Sequence, residues 1–246
     1  MWSDRGLRRV RRDDPIRVLI VGDPQTGGVN GLVGAREEAE QVAAICEQMQ
    51  RELDREMDFD RARDVFIGTT FTRAALRQLL REGGYDVLHF AGHGSFDSAR
   101  PERSGWLLSD GLFTVTELRN TLAWIESPPW LIFANACNAG MIDARASVYQ
   151  GDVHGMAEAC IREGVNAFIA PLWQIHDESA RLLAAEFYRC LLLRRSTVGV
   201  ALHHARVHVR KSWEATRGRT DLGDISWTGM VLFGNPTERL NETSTG

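Results

Sequence analysis

The sequence predicts an α/β protein in which a mostly parallel sheet is covered by helices on both faces. Three observations lead to this fold class. Apolar runs of strand length, such as Tyr85–Ala91, lack the regular polar alternation of a strand with one solvated face. Helix-spaced apolar residues separate these runs, and glycine or proline stands at many of the junctions. Alternating strands and helices are typical of a parallel sheet.

The first third of the chain follows the order β-α-β-α-β. The helix patterns are clear because apolar residues such as Val42, Ile45, Cys46 and Met49 recur at spacings of three and four. The glycines that follow the second helix pattern are typical of the end of a helix. These patterns predict strands at 16–21, 64–69 and 85–91, and helices at 35–55 and 72–81.

The next segment interrupts this alternation. Residues 105–115 are two short apolar runs around Ser109-Asp110-Gly111, which predicts a β-hairpin. The order then returns to strands and helices in one continuous domain. The remaining patterns predict helices at 116–122, 153–163, 177–193 and 198–213, and strands at 130–136, 166–172 and 227–233.

The domain is expected to cover residues 16–236. Residues 1–15 form a predicted flexible Arg-rich arm, and residues 237–246 form a predicted polar tail. The N-terminal residues lack the apolar core of a signal peptide, and no apolar run is long enough to span a bilayer. We therefore expect a cytoplasmic protein.

Composition narrows the classes of partner. The net charge of −4 gives no indication of a nucleic acid or membrane partner. The glycine-rich stretch 25–34 has neither the P-loop ending nor the dinucleotide-binding spacing, so we interpret it as a flexible loop. Cys46, Cys160 and Cys190 lie in helix patterns, which predicts buried free thiols.

Two apolar runs end in residues that can carry chemistry. The run at 85–91 leads into Gly92-His93-Gly94, and the run at 130–136 leads into Cys137. Functional groups gather at the carboxyl ends of parallel strands. If the two strands are neighbours, a spacing of about 4.8 Å brings the two positions together. An imidazole beside a thiol lowers the pKa of the thiol, so the pattern predicts a Cys/His nucleophilic pair.

The same geometry predicts where an oxyanion would bind. The backbone N–H groups of Gly94 and Cys137 could point at one place, where a tetrahedral intermediate would be stabilised. His89 would share a strand face with His93, and we interpret it as a supporting or core residue. A zinc site formed by His89, His93 and Cys137 is an alternative. Catalytic zinc needs three well-placed ligands, and a His-x-x-x-His spacing brings two ligands together on a helix but not along a strand, so no metal or other cofactor is expected.

Three motifs carry a resemblance to a known family. The segments His89-Phe90-Ala91-Gly92-His93-Gly94 and Asn135-Ala136-Cys137-Asn138-Ala139-Gly140 resemble the two motifs of CHAT domains, cysteine-peptidase domains of the caspase/separase clan. A strand ending in Leu172-Trp173, with Asp177 four positions after the Trp, resembles a third shared feature. The resemblance covers about 16–236, and Asn138-Ala139 departs from the residues that the family often has there.

The resemblance implies a fold and a chemistry. It implies a caspase-like three-layer α/β/α sandwich, with His93 as general base or imidazolium partner and Cys137 as the nucleophile that forms a thioacyl intermediate. Gly94 and Cys137 would supply the oxyanion hole. The function implied is cleavage of protein substrates, in bacterial antiviral defence or cell-death signalling, under control of an activating protein partner or sensor.

Asp177 and Trp173 are the candidate substrate-binding residues. A carboxylate in a pocket selects Arg or Lys, and Arg can pair with it bidentately, so we expect cleavage after Arg and also consider Lys. In separases the matching acid binds the arginine before the cut. The alternatives are that Asp177 caps the following helix and that Trp173 is a core aromatic residue.

Two other functions stay open from the sequence. The fold could serve as a catalytically silent binding or scaffold module, although the presence of both His93 and Cys137 argues against this. The chain could also be a nucleotide-binding or small-molecule-binding α/β protein that uses the glycines of the 25–34 loop, but this loop lacks a phosphate-binding motif. A loop at 141–152 is predicted just after the nucleophile, and it contains Arg145, a candidate site of self-cleavage.

Overall fold

A computed structural model describes most of the chain. It covers residues 14–25, 31–53, 56–95, 97, 99–138, 149–217 and 225–240, with the backbone alone for 137–138, 149–154 and 216–217. Within these residues, no helix is both long and apolar enough to cross a membrane.

In the part of the chain that the structure describes, one eight-stranded sheet forms the centre of the molecule. Its main path runs β2-β1-β3-β6-β7-β8, and all neighbours are parallel except β8, which pairs antiparallel with β7. The β4–β5 hairpin attaches antiparallel to the end of β3. The strands are β1 (Val18–Gly22), β2 (Val65–Ile67), β3 (Val87–Ser95), β4 (Gly105–Leu108), β5 (Gly111–Thr114), β6 (Leu131–Asn138), β7 (Ala167–Pro171) and β8 (Met230–Gly234).

Helices connect these strands and cover the sheet. A π-helical turn, Arg189–Leu193, continues the sixth helix, and a 3-10 turn spans Pro101–Arg103. The helices are α1 (Val33–Glu52), α2 (Arg61–Asp64), α3 (Arg73–Glu82), α4 (Val115–Ala123), α5 (Tyr149–Arg162), α6 (Asp177–Tyr188), α7 (Val198–Arg217) and α8 (Ser226–Gly229).

Each face of the sheet has its own core. On one face, Val87 and Phe133 pack with buried residues of α1, α6 and α7. On the other face, Leu88 and Ile132 pack with buried residues of α3, α4 and α5. Successive residues of a strand point to opposite faces, and here both faces are apolar, which explains the continuous apolar runs. The predicted three-layer sandwich with a mostly parallel sheet is confirmed.

The two central strands are longer than the sequence predicts. β3 continues to Ser95 and β6 to Asn138, so His93 and Cys137 lie within strands and not after them. The hairpin explains the extension of β3. β1 stops pairing with β3 at Ala91, and β4 then takes over that edge by pairing with Gly94 and Ser95. The expected hairpin is therefore confirmed, and it also supports the end of the site strand.

Other boundaries differ by a few residues. Helix α5 begins at Tyr149, so the last four residues of the loop predicted at 141–152 are helical, while its remainder lies outside the described residues. Of the predicted N-terminal arm, only residues 14 and 15 are described. At the other end, Leu240 is buried against the core formed by α1, α6 and α7.

Candidate active site

His93 and Cys137 are direct register partners on neighbouring parallel strands. The pairing of β3 with β6 runs without interruption from Val87↔Leu131 through His93↔Cys137 to Gly94↔Asn138. Adjacent strands lie about 4.8 Å apart. The backbones therefore hold the two predicted catalytic positions side by side, and this proximity depends on sheet register and not on a loop.

The His93 side chain lines a small cleft between the sheet and α1. It is 6% exposed, and the cleft has a volume of about 100 Å³. His93 and Val87 occupy alternate positions of β3, so their side chains point to the same face of the sheet. The side chain of Val87 packs in the core on the α1 side. The described residues that line the cleft are Leu32, Gly34, Ala35, Glu38, Gly92, His93, Asn135, Gln174, Asp177 and Ala180.

Asp177 lines the same cleft, and its role in substrate binding stays a prediction. It is the first residue of α6 and is exposed. Residue His176, not Asp177, occupies the N-cap position, and it makes no side-chain capping hydrogen bond. The alternative that Asp177 is the helix cap is therefore wrong, although an acid in the first turn still interacts favourably with the helix dipole.

Asp177 also borders a second, wider cavity. This cavity has a volume of about 740 Å³, and Glu178, Ser179 and Trp213 line it beside Asp177. The carboxylate thus stands between the His93 cleft and a more open groove. A side chain that reaches Asp177 from the groove would lie at the cleft that His93 also lines.

Trp173 is not among the described residues that line either cavity. It packs against the core on the α1 side of the sheet. A Cβ placed on Gly229 would lie 3.1 Å from Nε1 of Trp173 and 2.8 Å from Cγ2 of Ile175, so the indole rests on a glycine of α8. The structure thus shows the packing role for Trp173, and its contact with substrate stays a prediction.

Sequence reasoning missed two residues of the cleft, Glu38 and Asn135. Glu38 is 1% exposed on α1, and Nδ2 of Asn135 donates a hydrogen bond of 2.6 Å to its Oε2. Asn135 precedes Cys137 by two positions on β6. A pattern in the sequence could have indicated Glu38, because it falls in line with Val42, Ile45 and Met49 on the apolar stripe of its helix.

His89 is a core residue, which is one of the two roles predicted for it. It is completely buried, stacks on Phe133 at 5.3 Å between ring centroids, and has Nδ1 3.3 Å from the hydroxyl of Tyr188. Burial lowers the pKa of His89 to about 3, so the ring is neutral. Its Nε2 lies 3.5 Å from Oε1 of Glu38.

The other cysteines are poor nucleophiles. Cys46, Cys160 and Cys190 are buried free thiols, as predicted. Burial raises the pKa of each thiol above its ordinary value. A thiolate is the reactive species, so these three thiols are inert at neutral pH.

The predicted oxyanion hole lies at the last rungs of the β3–β6 pairing. Gly94 pairs with both Trp106 of β4 and Asn138 of β6. The role of the Gly94 and Cys137 N–H groups stays a prediction. Among the described residues, no group of three His, Cys, Asp or Glu is arranged to hold a metal ion.

A mostly parallel sheet between two helical layers, with a His and a Cys paired at the ends of its central strands, defines the caspase-like cysteine peptidase fold. The CHAT domain model matches residues 2–235. The chain therefore belongs to the CHAT domain family. No curated protein matches the sequence significantly.

Solved structures agree with this fold. The Arg-specific cysteine proteinase gingipain R matches with a TM-score of 0.60 and 16% identity, over 95% of this chain and 50% of that chain. The complex of Porphyromonas gingivalis RgpB pro- and mature domains matches with a TM-score of 0.53 and 17% identity, over 94% of this chain and 50% of that chain. This chain spans about half the length of the gingipain chains.

Proposed function

We propose that this chain is a cysteine endopeptidase that uses His93 and Cys137. The observation that carries the proposal is their register pairing on adjacent strands. The Cys137 thiolate attacks the scissile carbonyl carbon and forms a C–S bond, while the N–H groups of Gly94 and Cys137 stabilise the oxyanion. His93 gives its proton to the leaving amine as the C–N bond breaks. It then takes a proton from water, which attacks the thioester and releases the acid and the thiol.

The proposed substrate is a peptide with Arg, and secondarily Lys, before the cut. Support comes from the cleft that His93 shares with Asp177. A carboxylate there would pair with a guanidinium while the scissile bond lies beside the catalytic pair. Trp173 is proposed as a second contact. Gingipain R is described as Arg-specific, but at 16% identity it supports the fold alone.

The proposal includes control by another protein. A peptidase that is always active would be hazardous inside a cell, and the family resemblance implies an activating partner or sensor in bacterial antiviral defence or cell-death signalling. Self-cleavage near Arg145 is an alternative route to activation. An active preparation whose chain remains intact on denaturing electrophoresis would exclude self-cleavage.

The dyad is tested by Cys137→Ala and His93→Ala in a peptide cleavage assay. Each substitution is expected to abolish turnover and leave the thermal unfolding midpoint nearly unchanged. His203→Ala, on an exposed position of α7, is a matched control that should retain activity. Turnover that persists in either dyad variant would refute the assignment. If the wild type neither turns over peptides nor reacts at Cys137, the silent binding module is the better description.

A further inference from the structure

Glu38 is a buried acid that shares the cleft with His93 and Asp177. It is 1% exposed, and the cleft reaches it between the sheet and α1. Buried carboxyl groups are rare unless they are paired with a cation. No Lys or Arg lies within ion-pair distance of Glu38 among the described residues. The fold therefore maintains an acid without a permanent cationic partner beside its catalytic histidine.

The hydrogen bonding of Glu38 is incomplete. Asn135 satisfies Oε2, but Oε1 has no hydrogen-bond partner among the described residues, although it lies 3.5 Å from Nε2 of His89. The Nε2 of His89 and the Oδ1 of Asn135 also lack partners there. Unsatisfied buried polar atoms are costly, and their clustering here indicates a place that a polar or charged ligand completes.

Several titratable groups surround Glu38. From β3, His89 lies next to Glu38 and His93 shares its cleft. From α6, Asp177 lines the cleft and Tyr188 contacts His89. His89 is neutral and Tyr188 keeps its proton, because burial raises the pKa of its hydroxyl. Asp177 is the remaining acid in the cleft. A second negative charge on Glu38 would therefore be opposed by burial and by Asp177 together.

We propose that Glu38 is a proton-linked, specificity-determining acid at the base of the basic side-chain pocket. It carries a proton while the pocket is empty. It releases that proton to solvent when a guanidinium or ammonium group enters between Glu38 and Asp177. This inference rests on the proposed function, since it assumes that the cleft takes a cationic side chain.

The charges in the cleft explain the proton release. A cation near Glu38 offsets both the burial cost of its carboxylate and the repulsion from Asp177. Burial raises the pKa of Glu38 to about 8; the Asn135 hydrogen bond pulls that pKa down, and Asp177 pushes it up. A bound cation lowers the pKa below this value. In the window below pH 8, binding then releases a proton, so affinity for the cation increases with pH and levels off above about pH 8.

The test measures proton release by calorimetry on the full chain made inert by Cys137→Ala. The ligands are one short peptide with Arg at the pocket position and the same peptide with citrulline, its neutral isostere. At pH 7, titrations in two buffers of different ionisation enthalpy are expected to show release of close to one proton for the Arg peptide and none for the citrulline peptide. The dissociation constant of the Arg peptide should fall by up to about tenfold per pH unit below pH 8.

Glu38→Gln in the same background should remove the proton release and flatten the pH dependence. Glu37→Gln is the matched control, because Glu37 is the neighbouring residue on α1 with its side chain 60% exposed. His93 is another titratable group in the cleft, so the measurement is repeated with His93→Ala added. Proton release that persists in the presence of His93→Ala is assigned to Glu38. This measurement tests the role of Glu38 even if the Glu38→Gln variant does not fold.

The outcomes separate this inference from the proposed function. If the Arg peptide binds without proton release, or releases the same number in Glu38→Gln, the role of Glu38 is refuted while the peptidase proposal stands. If release disappears with His93→Ala, His93 is the linked group and the inference is also refuted. If the Arg peptide does not bind and wild-type chain does not cleave it, both proposals fail.

Discussion

The side chain of Asp177 rests directly on Gly34 in the first turn of α1. A methyl group added at position 34 would lie 2.5 Å from Cβ, Cγ and Oδ2 of Asp177, which is too close for any real Cβ contact. The glycine therefore allows α6 to bring its first carboxylate against α1 and into the His93 cleft. The position of the proposed specificity residue is set by a helix contact far from it in sequence.

Gly34→Ala is expected to displace Asp177 and raise KM for an Arg peptide by about tenfold, equivalent to about 1.4 kcal/mol. The reactivity of Cys137 towards a small thiol probe should not change. Gly155→Ala in α5 is the control, since among the described residues its added Cβ would meet only Pro101, at the ordinary distance of 3.6 Å. An unchanged KM in Gly34→Ala would show that the position of Asp177 is not critical.

Asp177→Ala should reduce turnover of Arg peptides by roughly 30-fold or more, since losing one member of a close charge pair costs about 2 kcal/mol or more. The thermal unfolding midpoint should change little, because the side chain is exposed and does not cap the helix. Glu178→Ala tests whether any acid at this helix end has the same effect. A peptide library with an acidic preference before the cut would contradict the pocket assignment.

A thiol probe applied to the native protein at pH 7 should label Cys137 selectively. Cys46, Cys160 and Cys190 are buried, with raised thiol pKa values, so they should react only after unfolding. Mass spectrometry of the digested protein locates the label. His93→Ala should slow labelling at neutral pH, because in the proposed dyad the imidazole of His93 favours the ionised form of the Cys137 thiol. Equal labelling of a buried cysteine in the native state would contradict this prediction.

Glu38→Gln should stabilise the protein at alkaline pH. The folded pKa of about 8 lies above the ordinary 4.5, so the folded state binds more protons than the unfolded chain between these values. The contribution of Glu38 to the free energy of unfolding therefore decreases from pH 4.5 to 8, by a few kcal/mol in order of magnitude. Thermal unfolding should show a higher midpoint for Glu38→Gln at pH 8.5 and little difference at pH 4.5.

His89 acts in the opposite direction. Its folded pKa of about 3 lies below the ordinary 6.5, so the unfolded chain binds the extra proton and stability is lost as pH falls from 6.5 to 3.

In the stability test of Glu38→Gln, Glu37→Gln controls for a general change in charge on α1. If Glu38→Gln destabilised the protein equally at both pH values, Glu38 would have a packing role without a proton linkage.

Local patterns were sufficient for much of the fold. Apolar runs predicted the strands because both faces of the sheet are buried, and the spacing of Val42, Ile45 and Met49 predicted α1. The turn residues Ser109 and Asp110 predicted the hairpin. Strand ends were less accurate, because β3 reaches Ser95 only through pairing with β4, a contact that its own residues do not encode.

The sequence by itself determined the class of fold, the identity of the His93 and Cys137 candidates and the choice of Asp177 as the acid. The class of fold and the His93 and Cys137 candidates depend on residue types next to apolar runs, which are local properties. Asp177 was chosen because the end of its strand resembles a motif of the family. Only the tertiary structure decided that His93 and Cys137 are register partners and that Asp177 packs against Gly34. It also decided that Glu38 lies buried in the cleft that His93 lines. Register and helix packing join residues that are distant along the chain, so their relations exist only in the folded molecule.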